Sequence, residues 1–593
     1  MCGIFGHIDN KGPDTALCHA SLNTLTHRGP DQMGEYFDEH IFLGHRRLSI
    51  LDLSENGRQP MDSGQTVISI NGEIYNYQAL KKELQTKYTF KSHSDSEVVL
   101  FGYEEWGLET LLNKIDGMYA IVIYDKLKQV VHLAKDRYGI KPLYYTNRNN
   151  TFSWASELKA IVMHAGEEHL DIDYTAVYDY LTYLYIPTPK TLYKDIFKLP
   201  PAHVLSYDIA SGIHKIKKYW DLPVSENKIT EQEAAEKVTA LISNSVKEQL
   251  ISDVPVGFFL SGGIDSSIVV SAASEFKKDA HTYSIGFEEP SQNETQYAKI
   301  VADLFKTHHH IKLLKRSDAS KMIQRMKIWY DEPYADTSAL PSYQVSALAK
   351  EKSTVVLTGD GGDELFGGYD WYTRFNKYKN QRLPLLSFLK GPLTTIRNRY
   401  SDSFAGRVAD QLENRVCNDL ELYAKLLGGL LKHEKTKYRK QWGIPDDYND
   451  YWYFEKFYKP DLGPMKKLQY LDFHTYLHDD IFTKVDRVSM AASLECRVPF
   501  MKKELVEFAF SLPEDILYAG GNLKGLLKIA YKNILPHEIL SRKKRGFNIP
   551  LKQWDKTFLN DSNSPQEFIL QQFDLTGRKK KTAPEPIGEM VHS

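Results

Sequence analysis

The chain has 593 residues, a formal net charge of −2, and hydrophobic and charged fractions of 42% and 26%, an ordinary balance for globular protein and far from that of a disordered chain. Near-neutrality excludes a global basic field that would gather nucleic acid or anionic lipid, so small molecules are the expected partners, with no nucleic acid and no membrane. The four cysteines, Cys2, Cys18, Cys417 and Cys496, are too few and scattered for a disulfide framework or a four-ligand zinc site; with no apolar run near the ~18 residues of a membrane span and no leader ahead of Cys2, the expected compartment is the cytoplasm.

From Met1 to about Tyr207, short β-type runs alternate with turn residues and predict strands at 41–44, 66–70, 118–124, 129–133, 143–145 and 152–154. Two stretches read as helices, Gln78 to Gln85 and Ser96 to Trp106, the second opening on a serine cap. Residues 1–207 are therefore expected to form an α+β sandwich, and 208–229 a connector. From 230 to about 560, apolar runs at Val256–Leu260, Thr282–Phe287, His310–Leu314 and Thr354–Thr358 alternate with helical text. Such alternation predicts an α/β doubly wound parallel sheet, with 369–482 as a helical layer over it. Residues 561–593, ending in Arg578-Lys-Lys-Lys and Thr-Ala-Pro-Glu-Pro, read as a disordered tail.

The run Val256–Leu260 leads into Ser261-Gly262-Gly263-Ile264-Asp265-Ser266-Ser267. A buried strand followed by glycines and then by Asp and Ser, as N-cap chemistry for an apolar helix, makes an anion-binding turn: backbone N–H groups, hydroxyls and the positive end of the helix converge on phosphate oxygens. The lysine of a Walker loop is missing. The segment instead resembles the pyrophosphate loop of enzymes that split ATP between its α and β phosphates. The acidic, glycine-rich stretch Thr358-Gly359-Asp360-Gly361-Gly362-Asp363-Glu364 suits Mg²⁺ and an adenylate at the carboxyl edge of such a sheet.

Cys2, once exposed as an N-terminal residue, carries a thiol nucleophile and an α-amino base on one residue. With His27-Arg28-Gly29-Pro30-Asp31, Arg46-Arg47-Leu48-Ser49-Ile50, Asn71-Gly72-Glu73-Ile74-Tyr75-Asn76 and Ser94-Asp95-Ser96-Glu97, it resembles the glutaminase domain of the class II, N-terminal-nucleophile amidotransferases. In that frame the Asn71 side chain and Gly72 amide suit an oxyanion. Arg47 suits the α-carboxylate of glutamine, and Glu73 with Asp95 its α-ammonium.

Taken together, residues 2 to about 554 resemble the glutamine-hydrolysing asparagine synthetases. The resemblance implies ATP and Mg²⁺ as cofactors, and glutamine, ATP and aspartate or another carboxylic acid as substrates. It also implies a β-aspartyl-AMP intermediate met by ammonia carried inside the protein along an apolar passage. Leu260, Ser261, Gly262, Gly263, Asp265, Ser266, Ile285, Thr358 and Gly359 become the expected ATP contacts, Asp265 and Asp363 the expected metal ligands. Cys2, Asn71, Gly72, Asp360 and Lys544, from Arg542-Lys543-Lys544-Arg545-Gly546-Phe547, become the expected catalytic residues. A homodimer is the expected assembly, on no residue-level signal. Asp360 stands where many of these enzymes read Glu, and Met501-Lys502 replaces the usual Leu-Asp. The first departure leaves open an acceptor from cell-surface sugar or secondary metabolism.

Overall fold

A computed structural model describes residues 1–224, 226–289, 293–315, 322, 324–400, 403–542 and 565–575. Two six-stranded antiparallel sheets built from residues 2–218 face each other. In the first, Cys2–Asp9 lies between Ile41–Arg47 and Thr151–Ala155; in the second, Thr66–Ile74 pairs along its length with Gly117–Asp125. Alternation decides what fills the gap: Ile4, Leu43, Val122, Leu133 and Trp154 point inward and are fully buried. The opposite faces are covered by helices, Thr15–Asn23 and Leu158–Ala165 over one sheet, Tyr77–Leu84 and Ser96–Lys114 over the other. The result is a four-layer sandwich.

Local reading fell short in identifiable places. The helix expected to stop at Trp106 continues to Lys114, bending at Gly107, whose φ of 75° no helical residue adopts. Its N-cap is Asp95 and not Ser96, and Asp95 makes no capping bond because its carboxylate accepts the Ile74 amide instead. The sandwich also extends beyond Tyr207: Ile213–Lys218, placed in the connector by the sequence, pairs with His203–Asp208 as an edge strand. Its polar, mostly exposed alternation is that of an edge, which hydrophobicity alone does not announce.

The second half is built on a five-stranded, all-parallel sheet. Its order is His308–Leu314, His281–Phe287, Val256–Phe259, Val355–Leu357, Glu495–Arg497. Helices cover both faces: Glu231–Gln249, Ile264–Ser274 and Thr295–Leu304 lie in one apolar core, and Ala339–Lys350 lies in another. From Val256–Phe259 the chain winds first to one side and then returns to the other. This places the topological switch point, where a crevice opens at the carboxyl ends of the strands, between Val256–Phe259 and Val355–Leu357. The three-residue strand Glu495–Arg497 was not expected, because charged residues at both of its ends hide it from any hydrophobic pattern.

Helices between Asp370 and Met490 form the anticipated layer. The tail expected to be disordered is corrected in part: Pro565–Gln572 is helical, and Phe568, Ile569 and Leu570 are buried in the same core as Tyr180 and Tyr438. Three consecutive apolar residues suffice to dock one turn when a partner face is waiting, and no local signal reveals that face. The halves are joined by a buried ion network. Arg28 donates to Asp486 at 2.8 and 3.1 Å and to Glu157 at 2.8 Å, while its Nε donates to the Cys2 carbonyl at 3.0 Å. Breaking one partner of such a cluster leaves an uncompensated buried charge.

Two candidate active sites on one scaffold

The first site forms where the sandwich meets the parallel sheet. Cys2 opens its strand opposite Arg47, and its backbone N–H donates to the Asn71 side-chain oxygen at 2.9 Å. Asn71 and Gly72 lie inside a nine-residue strand, so the hairpin turn that Asn-Gly favours in isolation is not what they make here. Gly72 has φ 156°, and a Cβ on it would fall 2.0 Å from the Met118 carbonyl oxygen. Only glycine fits. The Asn71 Nδ2 group is buried with no hydrogen-bond partner among the described residues. An unspent buried donor on a side chain that holds the Cys2 backbone suits an oxyanion.

Arg47 is buried and spends its donors on Gln32 and on the carbonyls of Leu51 and Asp52, at 2.8, 2.9 and 2.6 Å. Those bonds fix its guanidinium in place. Three carboxylates crowd nearby: Glu73, Asp95 and Glu495. Burial, then the charges of Glu495 and Asp95, push the Glu73 carboxyl well above its usual range, and burial raises Asp95 as well. Glu495 goes the other way: although burial opposes it, the Met1 ammonium and Arg497 hold it down at about 2. The electrostatic consequence is that an added cation beside Glu73 is favoured.

Glu495 and Arg497 were not assigned roles in the sequence. The Met1 ammonium is fully buried and donates to Glu495 at 2.7 Å. Arg497 reaches Glu73 at 3.5 Å, Glu495 at 2.7 Å and the carbonyls of Gln249 and Ile251 at 2.7 Å each. Its own carbonyl accepts the amide of Thr358 at 2.9 Å. One residue thus touches the Glu73 side of the first site and the loop that begins the second.

The second site occupies the switch point. Leu260 to Gly263 connect the parallel strand Val256–Phe259 to the helix Ile264–Ser274, a shorter loop than expected, because Asp265, Ser266 and Ser267 already lie in the helix. The N-cap is Gly263, however, and Asp265 sits in the first helical turn, so Asp265 is not a capping residue; the cap makes no side-chain bond. The loop braces itself instead: Ser266 Oγ accepts from the Ser261 amide at 3.2 Å, and Ser267 Oγ donates to the Gly263 carbonyl at 2.7 Å. Gly262, at φ 71°, lies so close to the next helix that a Cβ would be 2.5 Å from the Ala298 nitrogen. The Leu260 amide donates to Tyr283, which aligns the loop with the strand that carries buried Ile285.

The loop Thr358 to Asp363 closes on this one. A Cβ at Gly359 would fall 2.7 Å from the Ser266 nitrogen, and one at Gly362 would fall 2.7 Å from the Asp265 carboxyl carbon. Thr358 Oγ1 donates to Asp360 at 2.7 Å. Lys524 ion-pairs with Asp265 and, at 2.5 Å, with Asp363. Lys524 was missed because nothing in Asn522-Leu-Lys-Gly distinguishes it from a surface lysine. Lys544 lies outside the described residues. Arg542, two positions before it, donates to the Gly262 carbonyl at 2.7 Å and pairs with Glu294, which ties the start of that motif to the Ser-Gly-Gly loop.

Glu364, on the same acidic stretch, is buried and accepts from the Tyr369 hydroxyl. Burial, with Asp472 and Asp360 adding to it, raises its carboxyl to about 8. It is thus protonated at neutral pH. A folded-state pKa above the unfolded value gives stability that is complete below the usual carboxylate range and lost as pH rises through about 8. Glu364→Gln should remove that loss, roughly 3–5 kcal/mol across the window, and urea unfolding at pH 5.5 and 8.5 would read it as a flattened difference between the two midpoints.

Between the halves lies a cavity of about 20 Å³ lined by Lys135, Lys198, Asp479, Asp486 and Arg487 with Ile140 and Leu143. It has room for a water or two. Its charged lining does not match the apolar passage expected for ammonia.

Residues 237–567 match the family model described as asparagine synthase, and residues 1–220 match the glutamine amidotransferase domain. The chain is 35% identical over 577 residues to asparagine synthetase [glutamine-hydrolyzing] 1 of Bacillus subtilis, covering 95% of this chain and 89% of that protein. It is 35% identical to a putative asparagine synthetase [glutamine-hydrolyzing] 2 of Methanocaldococcus jannaschii, over 84% of this chain and all of that one. It is 27% identical to the amidase chry2 of Gibberella zeae, over 93% and 90% of the two chains.

Proposed function

The chain belongs to the glutamine-hydrolysing asparagine synthetase family, a family of glutamine-dependent ligases, and from that membership and the two sites we propose that it converts aspartate to asparagine through β-aspartyl-AMP. The observation that carries this reading is the meeting of Ser261–Ser266 with Thr358–Asp363 around Lys524, at the switch point of a parallel sheet, while Cys2 and Asn71 lie in the other domain. The domain limits we assign are 1–218 for the glutaminase and about 230–575 for the synthetase.

In the glutaminase, Cys2 attacks the glutamine carboxamide carbon. Asn71 Nδ2 and the Gly72 amide hold the oxyanion, and collapse expels ammonia and leaves a thioester that water hydrolyses to glutamate. Glu73 and Asp95 take the α-ammonium, and Arg47, whose Nη1 and Nη2 are held by Gln32 and by the Leu51 and Asp52 carbonyls, offers its Nε–H and its charge to the α-carboxylate. In the synthetase, the β-carboxylate of aspartate attacks the α-phosphorus of ATP and pyrophosphate leaves. The ammonia, passed internally, then attacks the acyl-adenylate and expels AMP. Ser261, Gly262, Gly263 and Ser266 receive the pyrophosphate, and Leu260, Ile285, Thr358 and Gly359 border the nucleoside. Asp360 orients the acceptor, and Lys524 and Lys544 bring positive charge to the phosphates. Excluding water from both acyl intermediates is the reason for housing them in one closed scaffold.

Mg²⁺ fits this arrangement, because it needs only one or two carboxylates in addition to phosphate oxygens. Asp265 Oδ1 is buried without a hydrogen-bond partner among the described residues, and Asp363 stands across Lys524 from it. Asp265 and Asp363 would hold the ion, which when bound would neutralise phosphate charge.

Asp360 and the resemblance to an amidase support a second reading, the same chemistry on another carboxylic acid. A panel of carboxylic acids scored for AMP release decides between them. Aspartate should give release that depends on both ATP and the acid; a silent aspartate lane beside an active second acid would overturn the first reading.

A further inference from the structure

Between Leu383 and Val408 the protein exposes apolar side chains that its own fold does not use. The 3-10 segment Pro384–Leu389 and the helices Lys390–Arg399 and Phe404–Val416 pack on one another around Leu393, Ala409 and Val416. On the outside, Leu385 is 90% exposed, Phe404 76% and Phe388 73%. Ile396 with Tyr400, and Phe404 with Val408, repeat at the spacing that sets two side chains on one helix face. Large apolar groups exposed at both ends of one helix pair, with the Leu383 amide donating to the Arg415 carbonyl at one end and Phe404 opening the helix at the other, mark a surface that meets something apolar.

The same stretch is basic. From Lys377 to Arg407 it has seven lysines and arginines and one acid, Asp402. Lys379, Arg382, Lys390 and Arg397 are turned onto Asp419, Glu421, Glu413 and Glu434. Lys377, Arg399 and Arg407 are exposed, with no ion pair among the described residues. A two-fold contact with a second copy would set like charges facing each other. Side chains that protrude by 73–90% of their area need a medium that yields to them, and a bilayer interface does so without a preformed pocket.

We propose that this face docks on an anionic phospholipid surface. Leu385, Phe388 and Phe404 enter the acyl boundary while Lys377, Arg399 and Arg407 lie among the headgroups. No helix among the described residues is long and apolar enough to cross a membrane, and docking in the plane of the interface needs none. The net charge of −2 concealed this face, because a local basic surface vanishes in a whole-chain sum.

The test is co-sedimentation of the full chain with phosphatidylcholine vesicles, with and without about one-third phosphatidylglycerol. Each cation near an anionic surface contributes about fivefold, so the three should favour the anionic vesicles on the order of 100-fold, less as salt rises. Leu385→Ser/Phe388→Ser/Phe404→Ser should abolish binding while sparing glutamine hydrolysis, since all three side chains are exposed. Lys377→Glu/Arg399→Glu/Arg407→Glu should erase the preference for anionic lipid. Three results would overturn the proposal. One is a wild type indifferent to both vesicles; another is binding that survives the serine triple, as it would if it resided in Arg578–Lys581. The third is self-association, dissolved by the serine triple, without vesicle binding.

Discussion

Cys2→Ala protein should form no product from glutamine, a loss of roughly a thousandfold or more, yet should amidate its acceptor from ammonium at close to the wild-type rate. The split follows from the placement of the residues. Cys2, Asn71 and Gly72 belong to the antiparallel sandwich, whereas Leu260 to Gly263, Thr358 and Gly359 follow strands of the parallel sheet, Asp265 and Ser266 open the helix after the first of those loops, and Ile285 lies on the adjacent strand. The role of the Cys2 amine as base requires Met1 to be removed, because with Met1 in place the Cys2 nitrogen is an amide that donates to Asn71. Removal would create an ammonium where an acceptor oxygen already stands at 2.9 Å, and would take from Glu495 the charge it now pairs with. Intact-mass measurement of active protein should therefore find Cys2 as its first residue. A protein fully active with Met1 attached would refute the amine as base.

Lys524→Ala should suppress acceptor-dependent AMP formation by roughly a hundredfold or more while glutamine hydrolysis persists. The lysine sits between Asp265 and Asp363. Its removal deprives the phosphates of a cation and leaves two nearby carboxylates to repel each other. Lys524→Arg should not restore activity, since a planar fork cannot replace a point charge held between two carboxylates. Asp265→Ala should fail in the same assay and spare the glutaminase, because the backbone donors of the loop remain but its carboxylate is gone. If Lys524→Ala released AMP normally, the lysine would be a structural clamp only, and the charge at the phosphates would have to come from elsewhere.

The amino-acid order alone made the architecture legible and marked both loops as candidate sites. Strand periods of two in the first half and buried runs alternating with helices in the second are local properties, and so is the turn that Ser-Gly-Gly makes between a strand and a helix. They survive because tertiary packing reinforces them. Asp363 stood out for a local reason, since acids among glycines are costly to place in a core, whereas Asp265 read as a helix cap and the fold sets it in the first helical turn instead. What no local pattern contained was the convergence. Lys524 lies 259 residues from Asp265 and is a plain lysine until the fold sets it between two carboxylates. Arg497 and Glu495 belong to a strand too short and too charged to read, yet they touch the Met1 ammonium, Glu73 and the Thr358 loop. The edge strand Ile213–Lys218 and the helix Pro565–Gln572 likewise exist only because a partner surface is there. The physical reason is common to all of them. A charge or a short apolar run has its energy set by its neighbours, and those neighbours are chosen by contacts hundreds of residues apart in the chain, which no window of sequence can contain.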